Sequence, residues 1–332
     1  MTRQRLFGAT HAFDSPIVRG FVVGILGLFV LAPVLIVLLR RAGKVDVKHY
    51  DELMKRYRSW LVLATIMIVP VLLGAAWTIL GVGLLSILCY REYARATGLF
   101  RERLMSLLVA VGILAVTFSV LDHWYELFMA LFPLTVGTIA AVAILDDRPR
   151  GYIQRVALAV LAFVLFGACL GHLGYFANDP QFRPILFWLI VSVEMNDVFA
   201  YLTGKAFGRR KLAPRTSPNK TVGGAIGALV LTTVLAAFVG HFVFKGEVLD
   251  RPSRLIELGV IISICGQLGD LLISSIKRDL DIKDMGILFP GHGGWLDRFD
   301  SLILVAPAVF HFVGYFRGIG LDEPARILTG GY

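Results

Sequence analysis

Charge is scarce in this sequence. Of its 332 residues only 17% are Asp, Glu, Lys or Arg, where a soluble domain carries about a quarter. Hydrophobic residues make up 57% instead. They gather into runs long enough to cross a bilayer, which excludes an ordinary soluble enzyme and points to a polytopic membrane protein. Cysteine is scarcer still. Cys89, Cys169 and Cys265 all lie inside apolar runs and none has metal-ligand spacing, so they read as buried thiols. There is no sign of a cleavable leader at the first apolar run. The first run, Val18 to Leu39, is too long for a signal-peptide core and has no small-residue cleavage site, so it reads as a retained anchor. Fixed-period repeats and low-complexity tracts are absent. The formal charge is +9, which basic loops facing anionic lipid explain without a nucleic-acid partner.

Apolar spans fall at 17–39, 60–75, 77–90, 104–121, 126–145, 156–172, 184–204, 222–244, 256–276 and 301–316. The stretch from Trp60 to Tyr90, interrupted around Pro70, Gly74, Gly81 and Gly83, reads as one long tilted helix or as two short ones. Loop charge decides between them. Segment 40–58 holds Arg40, Arg41, Lys44, Lys48, Lys55, Arg56 and Arg58, and segment 91–103 holds Arg91, Arg95, Arg101 and Arg103. If both face the cytoplasm, 60–90 crosses twice. The same alternation places 146–155, 205–220 and 277–300 inside, and 122–125, 173–183 and 245–255 outside. The expected fold is therefore an all-α polytopic membrane protein with about ten transmembrane helices, or nine if 60–90 crosses once. It divides into an anchor helix and basic linker over 1–59, N-terminal transmembrane helices over 60–183, and a chemistry-bearing transmembrane region over 184–332. The linker 40–58 has the character of an interfacial helix.

Two segments on the cytoplasmic side are unlike the rest. The first, NDVFAYLTGKAFGRRKLAPRTSPNKT, runs from Asn196 to Thr221. Asp197 opens it inside an apolar run, where an ionisable residue is costly and usually functional. The Arg209–Lys211 cluster alone is equally well an ordinary positive-inside loop. Ser217, Lys220 and Thr221, beside Gly223-Gly224 at a helix start, favour phosphate binding through charge and backbone N–H groups.

The second, GDLLISSIKRDLDIKDMGILFPGHGGWLDRFDS, runs from Gly269 to Ser301. On a helix, Asp270, Ser274 and Lys277 follow i, i+4, i+7 and share one face. Asp297 and Asp300 share a face at the start of the last helix, where capping is the plain role for Asp300. Capping does not explain Asp270, which lies inside the apolar run. Carboxylates brought together from two helices suit Mg²⁺, a hard cation that takes oxygen ligands and substrate phosphate. The intervening PGHGG at 290–294 has little side-chain bulk and can bring backbone close to a ligand. His292 reads as a general acid or base, a phosphate donor, or a structural hydrogen bonder. Metal carboxylates beside Lys and Arg are the inventory of phosphoryl or nucleotidyl transfer.

The run Ser274-x-Ile276-Lys277-Arg278, Lys283-Asp284-x-Gly286, Phe289-Pro290-x-His292-Gly293-Gly294-x-x-Asp297-Arg298-Phe299-Asp300 closely resembles the signature of phosphatidate cytidylyltransferases, the CDP-diacylglycerol synthases. Asp197-x-x-Ala200-Tyr201-x-x-Gly204, Gly208 and Ser217-Pro218-x-Lys220-Thr221 are similar to that family's second motif. The resemblance covers roughly residues 190–305 and does not extend through residues 1–60. It implies a membrane enzyme of the bacterial inner membrane, with its active site facing the cytoplasm. Such an enzyme joins CTP and phosphatidic acid into CDP-diacylglycerol and pyrophosphate, with Mg²⁺ and sometimes a monovalent cation such as K⁺. Carried over, Asp270 and Asp297 are the metal carboxylates, and Lys277 and Asp300 complete the catalytic set. Asp197, Ser217, Lys220, Thr221, Ser274, Arg278, Lys283, His292, Gly293, Gly294 and Arg298 face the substrates. Membrane lipids are the surroundings, and the resemblance leaves room for a homodimer. Two positions depart from the family pattern. Glycine stands at 223 where a Glu is common, and Trp295 replaces a smaller aliphatic residue. A paralogue acting on a different lipid phosphate is the alternative within the class. A transporter or non-catalytic scaffold is the alternative outside it, although a transporter places charge near the bilayer midplane and these charges gather at one face.

Overall fold

The computed structural model describes residues 6–44, 46–288, 293–318 and 326–330. Ten helices among them are long and apolar enough to cross a membrane. They are α1 (Pro16–Arg41), α2 (Val47–Leu73), α3 (Ala75–Ala96), α4 (Arg103–Leu121), α5 (Tyr125–Asp146), α6 (Tyr152–Asn178), α7 (Phe182–Phe207), α8 (Val222–Val243), α9 (Pro252–Asp279) and α10 (Leu296–Arg317). The chain is an integral membrane protein.

The stretch 60–90 forms two helices. Gly74, at φ 138°, holds a conformation that L side chains rarely adopt, and it ends α2 and starts α3. Pro70 prepares that break. Its carbonyl accepts the Gly74 N–H at 3.2 Å and the Thr78 hydroxyl at 3.2 Å. The basic segment 40–58 differs from an interfacial linker. α1 ends at Arg41 and α2 begins at Val47, capped by Asp46, whose carboxylate accepts the His49 N–H at 2.8 Å. At about 1.5 Å per residue α2 is longer than the hydrocarbon core is thick, so its first turns carry the basic residues out of the apolar region.

One short β-hairpin interrupts the helices: β1 (Lys211–Ala213) pairs antiparallel with β2 (Ser217–Thr221), Lys211 opposite Thr221. Helix periodicity gives no warning of it, because its length is that of a loop.

α7, α8 and α9 are fastened by a buried polar group. Asn196 Oδ1 accepts hydrogen bonds from Thr232 on α8 at 3.0 Å and Ser263 on α9 at 2.7 Å. In an apolar interior these two hydrogen bonds favour one arrangement of the three helices, and they bear on the register of the adjoining Asp197. α7 and α8 also approach closely. A Cβ on Gly224 would sit 2.7 Å from the Ala200 carbonyl oxygen, and one on Gly223 2.8 Å from that of Phe207. At the opposite end of the bundle Arg317 pairs with Asp179 at 3.0 Å and with Glu247 at 2.9 Å, tying α10 to the turns before α7 and α9.

The hairpin, the end of α9 and the start of α10 lie together at one end of the bundle, since Arg278 donates to the Thr216 carbonyl at 3.2 Å. The turn holding Val248 lies at the other end. Single cysteines at Arg210 and Asp284, in a background with the native cysteines replaced by alanine, should react with an impermeant maleimide from one side only. A cysteine at Val248 should react from the opposite side only. Labelling of 210 and 284 from opposite faces would break the arrangement.

Candidate active site

Three helices supply the charged groups of a single polar cavity of about 130 Å³, lined by Glu194 and Asp197 from α7, Asp270 and Lys277 from α9, and Asp297, Arg298 and Asp300 from α10. Trp60, Leu63, Met67 and Phe299 form its apolar side. The helices converge because α9 meets α10 at Gly269, where a Cβ would lie 2.5 Å from the Asp300 carbonyl oxygen. That contact sets Asp270 beside Asp300. Ser301 lies between two acids: its hydroxyl reaches Asp197 Oδ2 at 3.4 Å, and its N–H bonds Asp300 Oδ1 at 2.8 Å.

The acids differ in what already holds them. Asp270 pairs with Lys220 of β2 at 2.6 Å and accepts the Ser274 hydroxyl at 3.1 Å. Asp297 is more committed. Its Oδ2 accepts the N–H of Met285 at 2.8 Å, of Gly294 at 2.9 Å and, more weakly, of Gly286 at 3.4 Å. Its Oδ1 takes the Lys277 ammonium at 2.8 Å and, among the described residues, keeps one lone pair. Asp297 therefore ties Met285 and Gly286 to Gly294, and among the described residues it has one oxygen rather than two to offer a cation.

Other residues expected to touch substrate fall into two groups. Arg298 lines the cavity, and its buried Nε meets no acceptor among the described residues. Ser217 lies on β2, three residues before Lys220. Gly293 (φ 77°) has no room for a Cβ, which would sit 2.5 Å from Asp297 Oδ2. Thr221 caps α8, accepting the Gly224 N–H at 3.1 Å, and a hydroxyl that accepts keeps its own hydrogen to donate. Arg278 is exposed and donates to the Thr216 and Ile282 carbonyls. Lys283 is exposed and does not line the cavity. His292 lies outside the described residues.

Two acids were not foreseen. Glu194 lies one turn before Asp197, and the same rule that singles out an acid in an apolar run finds it. Glu92 lay hidden among the arginines of a presumed loop. It stands on α3, and its carboxylate accepts the N–H groups of Trp295 at 3.0 Å and Leu296 at 2.9 Å.

The donor set suits a hard cation. Glu194, Asp197, Asp270, Asp297 and Asp300 face Lys220, Lys277 and Arg298, so acid outnumbers base. Asp300 is repelled by both Asp270 and Asp197, and buried like charges are costly until a cation joins them. Among the described residues no three such side chains already converge into a cage.

Asp270→Asn and Asp297→Asn should separate. The first loses one ion pair at the cavity and should leave the melting temperature close to that of the parent. The second leaves buried N–H donors without a full acceptor, at about 1–3 kcal/mol, and should lower it clearly. Equal melting temperatures would remove Asp297 from its role in the loop.

The model of the cytidylyltransferase family matches residues 54–316. The chain is 31% identical to YnbB, an uncharacterized protein of Escherichia coli, over 80% of this chain and 88% of that one. It is 33% identical to the phosphatidate cytidylyltransferase of Bacillus subtilis over 64% of this chain and 81% of that one, and 28% identical to that of Staphylococcus aureus over 74% and 94%. With a family match over most of its length, the chain belongs to the cytidylyltransferase family.

Proposed function

We propose that the protein transfers the cytidylyl group of CTP to a lipid phosphate, with phosphatidic acid as the first acceptor to test. The observation that carries this reading is the junction of two cavities. An apolar groove of about 370 Å³ runs between α2, α3 and α10, lined among others by Ile66, Val69, Leu85, Leu88, Trp295 and Leu302. It meets the acidic cavity at Met67 and Phe299, which line both. An amphiphile with a phosphate head and hydrocarbon tails matches that pairing. The tails stay in an apolar setting, while the head sits among charged groups.

In the reaction a phosphate oxygen of the acceptor forms a bond to the α-phosphorus of CTP, and the bond from that phosphorus to the bridging oxygen of pyrophosphate breaks. The acceptor monoester already carries about 1.5–2 negative charges near neutral pH, so no protein base is needed. Lys220, Lys277 and Arg298 supply positive charge to the phosphates. The unpaired Nε of Arg298 suits a phosphate oxygen. Asp270, with the remaining lone pair of Asp297, would hold Mg²⁺, and Asp197, Asp300 and Glu194 leave acidic capacity for a monovalent cation such as K⁺. Mg²⁺ bound there supplies charge neutralisation on the triphosphate. The basic residues of α2, the hairpin and the end of α9 favour the cytoplasmic face of a bacterial inner membrane for this end of the bundle, by the positive-inside rule.

A second acceptor class is favoured by one observation. Glu194 adds a carboxylate where the groove meets the cavity, next to Ile190 of the groove on α7. It suits a lipid phosphate whose backbone carries a hydrogen-bond donor. Vesicle-reconstituted protein given Mg²⁺ and CTP labelled at the α-phosphate should yield lipid-soluble labelled CDP-diacylglycerol from phosphatidic acid. Label passing only to another lipid phosphate would support the second acceptor class, and no lipid-soluble label from any acceptor would sink the assignment.

The glycine at 223 now has a physical reason. The approach of α7 at Phe207 leaves no room for a Cβ, so a glutamate there separates the two helices before its charge matters. Gly223→Ala and Gly223→Glu should both lower turnover at least several-fold. An active Gly223→Glu protein beside an impaired Gly223→Ala protein would show that charge, not space, governs the position.

A further inference from the structure

We infer that Glu92 is a positioning residue, which sets Asp297 and its loop from a helix outside the catalytic region. α10 has no side-chain cap of its own, although its first turn leaves N–H groups without helical partners. The Glu92 carboxylate takes two such groups from across the bundle, one oxygen to Trp295 and the other to Leu296. A carboxylate also suits the positive end of the helix dipole.

The contact reaches further than a cap. A Cβ on Gly294 would lie 2.3 Å from both Glu92 oxygens, and one on Gly286 would lie 2.5 Å from Oε1. On their other side the N–H groups of these two glycines point to Asp297 Oδ2. The backbone at Gly286 and Gly294 is thus pressed between two carboxylates, Glu92 behind it and Asp297 in front. Fixing the first fixes how the loop presents the second, and with it the single oxygen lone pair that Asp297 retains for a cation. Both Glu92 oxygens are in use, so glutamine, with one acceptor, does not substitute. Aspartate keeps the charge but falls one methylene short.

The inference rests on the proposed function only in taking the cavity as a cation site. It is tested on the full-length protein in detergent, without acceptor, using Mn²⁺ alone as the probe. Glu92→Gln should speed amide exchange at Trp295 and Leu296 at least tenfold and weaken Mn²⁺ affinity at least fivefold. Glu92→Asp should recover part of both losses, and Glu126→Gln at the far end of the bundle should change neither. Faster exchange with unaltered Mn²⁺ affinity would make Glu92 a helix cap and nothing more, and unaltered exchange would overturn the inference outright. If Glu92→Gln does not fold, Gly294→Ala presses the same backbone from the glycine side and should give the same paired change, with loss of neither counting against the inference. A parent protein that binds no Mn²⁺ would instead sink the cation part of the proposed function, and the exchange comparison would still judge Glu92.

Discussion

Asp297 accepts hydrogen bonds from the backbone of Met285 and Gly294 and an ion pair from Lys277. A buried carboxylate so surrounded is held by its neighbours and holds them in turn. Removing it leaves donors in an apolar setting, which costs more than the bonds it makes are worth in water. The rest of the site depends on that constraint. Lys277 is drawn inward along α9, the first turn of α10 is fixed against the loop, and Asp300 and Ser301 face α7 one turn further on. Chemistry at this face rests on a carboxylate whose first task is structural.

The helices that carry the other acids are brought close by a lack of side chains. Gly269 lets α9 reach the backbone of Asp300, and Gly223 and Gly224 let α8 reach α7. In lipid there is no hydrophobic gain from helix association, so close packing and internal hydrogen bonds do the work. Asn196 adds the polar part, with Thr232 and Ser263 as donors. The position beside it, Asp197, inherits its precision.

Much of this was legible in the sequence, for identifiable reasons. Crossing length and loop charge depend on composition alone, and they gave ten spans where the break at Gly74 was ambiguous by hydropathy. The i, i+4, i+7 spacing of Asp270, Ser274 and Lys277 survives because α9 is an unbroken helix through all three. What sequence reasoning could not see is how each group is spent. Thr221 and Arg278 look like phosphate ligands by type, and each also serves the fold, Thr221 as a helix cap and Arg278 as a donor to two carbonyls. Glu92 is separated from its partners by about two hundred residues of chain, and no local pattern links an acid on α3 to the N–H groups of α10. The hairpin at 211–221 is too short for periodicity to register. Long-range satisfaction of polar groups is the common thread in these differences.

Those satisfied groups also explain how so acidic a cavity stands without collapsing. Two of its carboxylates borrow positive charge from the protein itself, Asp270 from Lys220 and Asp297 from Lys277, at 2.6 and 2.8 Å. Each pair joins a group suited to a cation with a group suited to a phosphate. On the proposed function, a triphosphate arriving with its counter-ion offers both lysines an anion and both aspartates a cation, so the internal pairs can be exchanged for external ones of the same sign without exposing an uncompensated charge. Either half of the ligand alone leaves part of that exchange incomplete in a poorly solvated setting. The pairing would therefore make a cation bind more tightly with nucleotide present than alone. It does so through the desolvation cost of single charges, with no moving part required.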